Sequence, residues 1–231
     1  MLRRIPLGSM KNLRDMGGLP VPGGGCTAWE RLLRGDNPEN LSQADVDWLL
    51  ERDITTVIDL RSAPEVERHP DQLSATPGFR YLHMPLVAGD KLPNTEADVG
   101  AGYFRALEVK DCIRDIMRAI AAAPGGVLYH CTAGKDRTGI TAMLLYSLVG
   151  VERADILADY QISETYLEEL LRGIRAAMPV ELAAFVGSSK PEYLEECMDL
   201  AERKYGSLTD YLRATGLTQA ELDLLRAKLL N

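Results

Sequence analysis

Hydrophobic and polar positions in this chain follow two spacings, and their order along the sequence already outlines a fold. In NLSQADVDWLLERD, Val46, Leu49 and Leu50 recur at helical spacing, with Ser42 as N-cap and Asp45 three residues on, so a helix is expected there. ITTVIDL follows as a short β-branched run, the mark of a buried strand, and FRYLHMPL supplies a second strand after a Pro/Gly turn. Residues 17 to 34, GGLPVPGGGCTAWERLLR, read as two short extended segments around a glycine turn. Residues 89 to 102, GDKLPNTEADVGAG, read as a long loop by composition, a length that points to function or mobility. A helix with Ile113, Ile116, Met117 and Ile120 on one face ends at PGG, GVLYH reads as a buried strand, and TGITAMLLYSLVG as a core helix.

The last third is helical. SETYLEELLRGIRAAMP places Tyr166, Leu167, Leu170, Leu171 and Ile174 on one stripe and stops at Pro179, and LTQAELDLLRAKLL opens with Thr218 and Glu221 as a capping box. Strands alternating with helices give the class: α/β, a central mainly parallel sheet wrapped by helices. One domain spanning 1–231 is expected, with the helices at about 152 to 188 as a candidate lid over the site described below.

Composition narrows the functions. The chain has 231 residues, 46% of them hydrophobic, enough for a full core, and a net charge of -8, which argues against nucleic acid or an anionic membrane as a general partner. MLRRIPLGSMKNLR has a cationic start with no apolar run behind it, so no signal peptide is read, and the longest apolar run, residues 139 to 151, is too short to span a bilayer. A soluble, cytoplasmic, monomeric or weakly associating protein is expected. The four cysteines, Cys26, Cys112, Cys131 and Cys197, form no CxxC pair, and there are only three histidines. Neither a zinc site nor a disulfide framework is indicated, and no cofactor.

One stretch carries chemistry. HCTAGKDRTG, residues 130 to 139, lies between the GVLYH strand and the helix after it, at the strand's C-terminal end, where open α/β sheets bind ligands. A glycine-bearing turn into a helix aims successive backbone N–H groups into one concavity, and the helix N-terminus adds positive potential. Arg137 adds a planar fork that can hold two phosphate oxygens. Cys131 in that field is expected to be a thiolate, an in-line nucleophile beneath a bound phosphate. The bare spacing Cys-x5-Arg is weak evidence, since CIRDIMR (Cys112 to Arg118) and CMDLAER (Cys197 to Arg203) satisfy it too. Both lie in helical patterns, where six residues turn through about 600° and send the two side chains apart. A Walker A loop would need a glycine where Tyr129 stands and a hydroxyl where Asp136 stands, so that reading fails.

HCTAGKDRTG resembles the signature loop of the cysteine-dependent protein tyrosine phosphatase superfamily, in the form of its bacterial branch with mixed tyrosine, serine/threonine and phosphoinositide specificity. NLRDMGG at 12 to 18, RLLRGDN at 31 to 37, VIDLRSAPEVE at 57 to 67 and the tail YGSLTDYLRATGLTQAELDLLRAKLL resemble the same branch, so the likeness spans nearly the whole chain. The resemblance implies Cys131 as the nucleophile of a phosphocysteine intermediate and Arg137 as phosphate and transition-state binder. The cradle would be the amides of Thr132, Ala133, Gly134, Lys135, Asp136 and Arg137. Thr138 would stabilise the thiolate as leaving group, and His130 would tune the thiol. Amides and arginine supply the charge stabilisation a metal ion gives elsewhere, so no metal is required.

The general acid departs from the superfamily's common pattern: neither Trp29 nor Trp48 begins a Trp-Pro-Asp loop. Asp136 is the first candidate, as the resemblance implies, with Asp98 and Asp90 on the long loop as rivals. Lys135 is either a second cation for a doubly phosphorylated or inositol headgroup or a solvated loop lysine. Asp59 and Arg61 either brace the cradle, touch substrate, or form an ordinary ion pair, and Arg14 and Asp15 lean to structural use. His69 and His83 lack metal-ligand spacing, and Tyr166 of SETYLEEL reads as core. The expected partner is a phosphoprotein or phosphopeptide with phosphotyrosine favoured. A phosphoinositide is the enzymatic alternative, and a catalytically inactive phosphate-binding module the alternative from another class.

Overall fold

The computed structural model describes residues 2–87 and 95–230. Its described strands are β1 (Arg14–Asp15), β2 (Leu32–Gly35), β3 (Ile54–Asp59), β4 (Arg80–His83) and β5 (Gly126–His130). They form one sheet in the order β1-β2-β5-β3-β4, with β1 antiparallel to β2 and every other pair parallel. The expected class, α/β with a mainly parallel sheet, is what the chain adopts.

Parallel strands are covered on both faces, which is why these runs read as continuously apolar rather than alternating. Leu33, Val57 and Leu128 enter one apolar cluster, with Val46 and Leu49 of α1 (Gln43–Glu51). Their neighbours Leu32, Ile58 and Tyr129 enter the other and larger one, beneath the remaining helices. The period-2 alternation of the strands therefore feeds two cores from one set of residues. Helix α1 starts as expected, with the Ser42 and Asp45 side chains each accepting from the other's backbone or hydroxyl.

Between β3 and β4 lie α2 (Ala63–Arg68) and a 3₁₀ turn at Gln72–Ala75. The larger face carries α3 (Asp98–Leu107), α4 (Lys110–Ala122), α5 (Asp136–Leu148), α6 (Arg153–Ala176), α7 (Val180–Ala183), α8 (Pro191–Tyr205), α9 (Leu208–Ala214) and α10 (Gln219–Leu230). Helix α5 is buried almost all round from Thr138 to Tyr146, as a core helix should be. No helix among the described residues is long and apolar enough to cross a membrane.

Three expectations differ from the fold. Residues 98–102 of the expected loop are the first turn and a half of α3, where Thr95, just ahead of the helix, donates through its N–H and hydroxyl to the Asp98 carboxylate. Gly100 and Gly102 disguised this turn. Gly100 is there because α3 runs hard against α8: a β-carbon on it would lie 2.8 Å from the Tyr193 carbonyl. The glycine ribbon at 17–34 is reduced to one bridge, Pro20 with Cys26, and only Leu32–Gly35 joins the sheet. On α6, Leu167 and Leu171 are buried, but Leu170 and Ile174 are exposed, because the helix has by then left the sheet and has packing on one side alone.

Candidate active site

The sheet register sets the stage. Gly35, His130 and Asp59 lie on one rung at the C-terminal ends of β2, β5 and β3. The Cys131 loop therefore leaves the central strand with Asp36 and Asn37 on one flank and Leu60 and Arg61 on the other, and closes into the N-terminus of α5.

How the loop's peptide planes are turned follows from what its carbonyls bond. The Thr132 carbonyl accepts from Asn37 N at 3.4 Å, Ala133 from Asn12 Nδ2 at 2.8 Å, and Gly134 from Arg34 NH2 at 3.1 Å. All three partners lie outside the loop. In a trans peptide the carbonyl and the next N–H point oppositely, so the N–H groups of Ala133, Gly134 and Lys135 face the other way, into the loop's concavity. None of the three has a protein partner among the described residues. Gly134 holds φ at +66°, and a β-carbon there would sit 2.4 Å from the carbonyl carbon of Gly35. Only glycine fits so close to a neighbouring backbone.

Cys131 lies within this turn, 2% exposed. Arg137, on the first turn of α5, is gripped by Glu65 of α2 in a two-pronged bond, NH1 to Oε2 and NH2 to Oε1, each 2.7 Å. Glu65 also accepts from Thr132 Oγ1 and caps its own helix through Ser62 N at 2.9 Å. The bond from Arg137 holds the Glu65 carboxyl well below its usual range, against the opposing effect of burial. Burial works against the charge on Arg137, but Glu65 and the neighbouring Cys131 outweigh it and hold the guanidinium more firmly protonated.

Behind the cysteine is a buried charged layer. His130 Nε2 lies 2.9 Å from Asp71 Oδ2 and its Nδ1 3.3 Å from the Cys131 carbonyl. Arg61 binds Asp59 through Nε and NH2 and also reaches the His69 carbonyl, and Tyr81 donates to Asp59. Arg61 and Asp59 are sealed from solvent and paired with each other, which fits a buried ion pair or a brace behind the loop and not a substrate contact. Asp59, Asp71 and His130 are close enough to share a cation, but the Arg61 guanidinium already fills that place beside Asp59.

On the opposite flank, Lys135 departs from both expectations. Its side chain is buried, with Nζ donating to the Ser188 carbonyl at 2.7 Å and standing 3.2 Å from Asp136 Oδ1. Asp136 Oδ1 also accepts from the Tyr103 hydroxyl of α3. Thr138 Oγ1 is buried with no hydrogen-bond partner among the described residues. The Asp98 carboxylate accepts from Thr95 ahead of α3, and Asp90 lies outside the described residues.

The stretch at 152–188 forms a hairpin rooted under the loop. Asp159 of α6 meets Arg3 at 2.6 Å, Arg14 at 3.1 Å and Arg34 at 2.5 Å. Burial alone would favour its neutral form, but Arg14, Arg34 and Arg3 together hold it well below the usual carboxylate range. Arg34 passes that anchorage on to the Gly134 carbonyl. At the far end, Arg175 returns to Glu164 and the Val186 carbonyl, bringing Ser188 back to Lys135. Arg14 and Asp15 are structural, the latter capping Gly17 and Glu30.

Five residues at the site were not singled out from sequence: Asn12, Arg34, Glu65, Asp71 and Tyr103. Asn12, Arg34 and Glu65 lie in stretches already matched to the resemblance, and Glu65 left a local signal as well, sitting three residues after Ser62 as a helix-capping acid. Asp71 and Tyr103 left none.

Residues 5–231 match the model of the tyrosine phosphatase family. A tyrosine-protein phosphatase of Nostoc commune is 32% identical over 218 residues, covering 87% of this chain and 74% of its own. PtpB of Mycobacterium tuberculosis, named a triple specificity protein phosphatase, is 27% identical over 250 residues, covering 87% and 91%. Among solved structures, P. aeruginosa TpbA in complex with pTyr aligns over 82% of this chain and 88% of its own, at 16% identity and a TM-score of 0.44.

Proposed function

The chain belongs to the tyrosine phosphatase family and is a phosphatase-type hydrolase, and from that premise we propose that it hydrolyses phosphotyrosine in proteins through a phosphocysteine intermediate. The single observation that carries this reading is the outward anchorage of the Thr132, Ala133 and Gly134 carbonyls, which turns three unpaired N–H groups into the concavity at Cys131.

A phosphoryl group seated there accepts from those amides and from the part of the Arg137 guanidinium that Glu65 leaves free. Sγ of Cys131 attacks phosphorus; the S–P bond forms as the P–O ester bond breaks, and the bonding pair leaves on the ester oxygen. Asp136 protonates that oxygen. In the second step water attacks the phosphocysteine, Asp136 takes its proton, and the S–P pair returns to sulfur; the Thr138 hydroxyl, buried without a partner among the described residues, is assigned by the family resemblance to stabilise the departing thiolate. The amides and Arg137 stabilise the equatorial oxygens throughout, an electrostatic contribution that needs no reorganisation because the anchors set it beforehand.

Phosphotyrosine leads because the relatives are named for it. Serine and threonine esters come second, since the relative named for triple specificity spans nearly the same length. A phosphoinositide comes last, because the lysine that would read extra phosphates is occupied by Ser188. The 152–188 hairpin is read as part of one phosphatase domain, rooted at Asp159, with its tip as the candidate lid.

The test is turnover of a phosphotyrosine peptide in excess chelator, followed by acid quench and mapping of the phosphoenzyme. Turnover with phosphate on Cys131 is expected. Absence of turnover, with the peptide still bound, would leave the binding-module alternative in its place.

A further inference from the structure

The Asp136 carboxylate does not choose its own direction. Its Oδ1 accepts from the Tyr103 hydroxyl of α3, and that hydroxyl lies 2.7 Å from the hydroxyl of Tyr160 on α6. The two rings meet edge to face, centroids 6.1 Å apart at 83°. Both phenols are buried. Burial first, and the Asp136 charge second, push both well above the ordinary tyrosine value, so both stay protonated at neutral pH. Tyr103 spends its proton on the carboxylate, so Tyr160 donates to Tyr103, and the chain of hydrogen bonds runs one way toward Oδ1. Lys135 Nζ adds a second contact on the same oxygen. Oδ2 has no hydrogen-bond partner among the described residues.

We infer that Tyr103 is a positioning residue for the general acid: by making Oδ1 the acceptor, it leaves Oδ2 as the oxygen that carries the proton and delivers it to the leaving group. This rests on the assignment of Asp136 as the acid made above. As the P–O bond breaks, its electron pair goes to the ester oxygen and the Oδ2 proton follows; the Tyr103 proton never leaves its phenol. What changes is the strength of the Tyr103 bond, which tightens as Asp136 acquires charge, so it favours the transition state over the ground state. Tyr103 is held for this by three helices. Helix α3 presses against α8 at Gly100, α5 supplies the carboxylate, and α6 supplies the second phenol.

A residue that only supported the fold would lower activity on every ester alike. A residue that positions the acid matters most where the leaving group needs the proton. The experiment compares kcat/KM for phenyl phosphate, a poor leaving group, with that for p-nitrophenyl phosphate, a good one, in the wild-type chain, Asp136→Asn and Tyr103→Phe. The ratio of the two esters within one preparation is independent of the fraction folded. Asp136→Asn should lose on the order of 10²-fold on phenyl phosphate and far less on p-nitrophenyl phosphate. Tyr103→Phe should repeat the pattern in smaller measure, about tenfold against about twofold. Equal losses on both esters in Tyr103→Phe, with Asp136→Asn still selective, overturn this inference and spare the acid. Equal losses in Asp136→Asn remove Asp136 as the acid, and this inference with it.

Discussion

Cys131 with Arg137 and Cys197 with Arg203 share one spacing and nothing else. Cys197 lies on α8, fully buried in the larger core, and burial, then Glu196, pushes its thiol upward. Arg203 bends back to the Asp199 carbonyl of its own helix. Every peptide N–H between them is spent on the helix, so an anion would find no donors there. At Cys131 the strand has ended and the helix has not begun, and carbonyls tied outward leave three N–H groups free. The difference teaches that a cysteine and an arginine six residues apart frame a concavity of free backbone donors only where the carbonyls between them are tied outward and the peptide N–H groups are not spent on a helix.

Four experiments press on this contrast. The largest effect is expected at the two cysteines: Cys131→Ser should lower kcat/KM for a phosphotyrosine peptide on the order of 10⁴-fold or more, while Cys197→Ala stays within about twofold. Similar losses in both would erase the distinction. Next come the cations. Arg137→Lys should cost about 10² to 10³ in kcat, since a lysine can keep neither the Glu65 fork nor the phosphate fork, and Arg203→Lys should cost nothing measurable.

Glu65→Gln comes third, with about tenfold lost in kcat/KM as the guanidinium loses its charged clamp. Its effect on stability has a definite sign with pH. The folded carboxyl lies below its ordinary value of 4.5, so the contribution of the pair is fully present above that value and declines as pH falls below it. The melting-temperature gap between the wild-type chain and Glu65→Gln should therefore be widest near neutrality and shrink steadily on acidification below about pH 4.5. A gap that widened in acid would show that Glu65 is not held as the anion.

The smallest effect concerns the native chain alone. Brief iodoacetamide treatment at pH 7, read by peptide mass mapping, should label Cys131 and the exposed Cys26 and leave Cys197 unmodified until the protein unfolds. Phosphate or vanadate should protect Cys131 and not Cys26.

The strands at Ile54, Arg80 and Gly126 and the capped starts at Ser42 and Thr218 were legible because each is a local pattern read within one turn or one pleat. The first turn of α3 was not, because Gly100, which weakens a helix in isolation, is the residue that lets it touch α8. Lys135 shows the same limit at the site. Its neighbours in sequence suggest a substrate cation, whereas its partner, the Ser188 carbonyl, lies 53 residues away.

By itself the amino-acid sequence singled out Cys131 and Arg137 and determined the strand, loop and helix that present them, since all of these lie within a few residues of one another. Only the tertiary structure decided what holds them: Asn12 and Arg34 on the carbonyls, Glu65 on the guanidinium, Asp71 behind the histidine, Tyr103 on the candidate acid. Periodicity tells which face of an element is buried, because that depends on the element alone. What the face is buried against depends on the order of strands in the sheet and on how the helices cross it, and no local pattern carries that information.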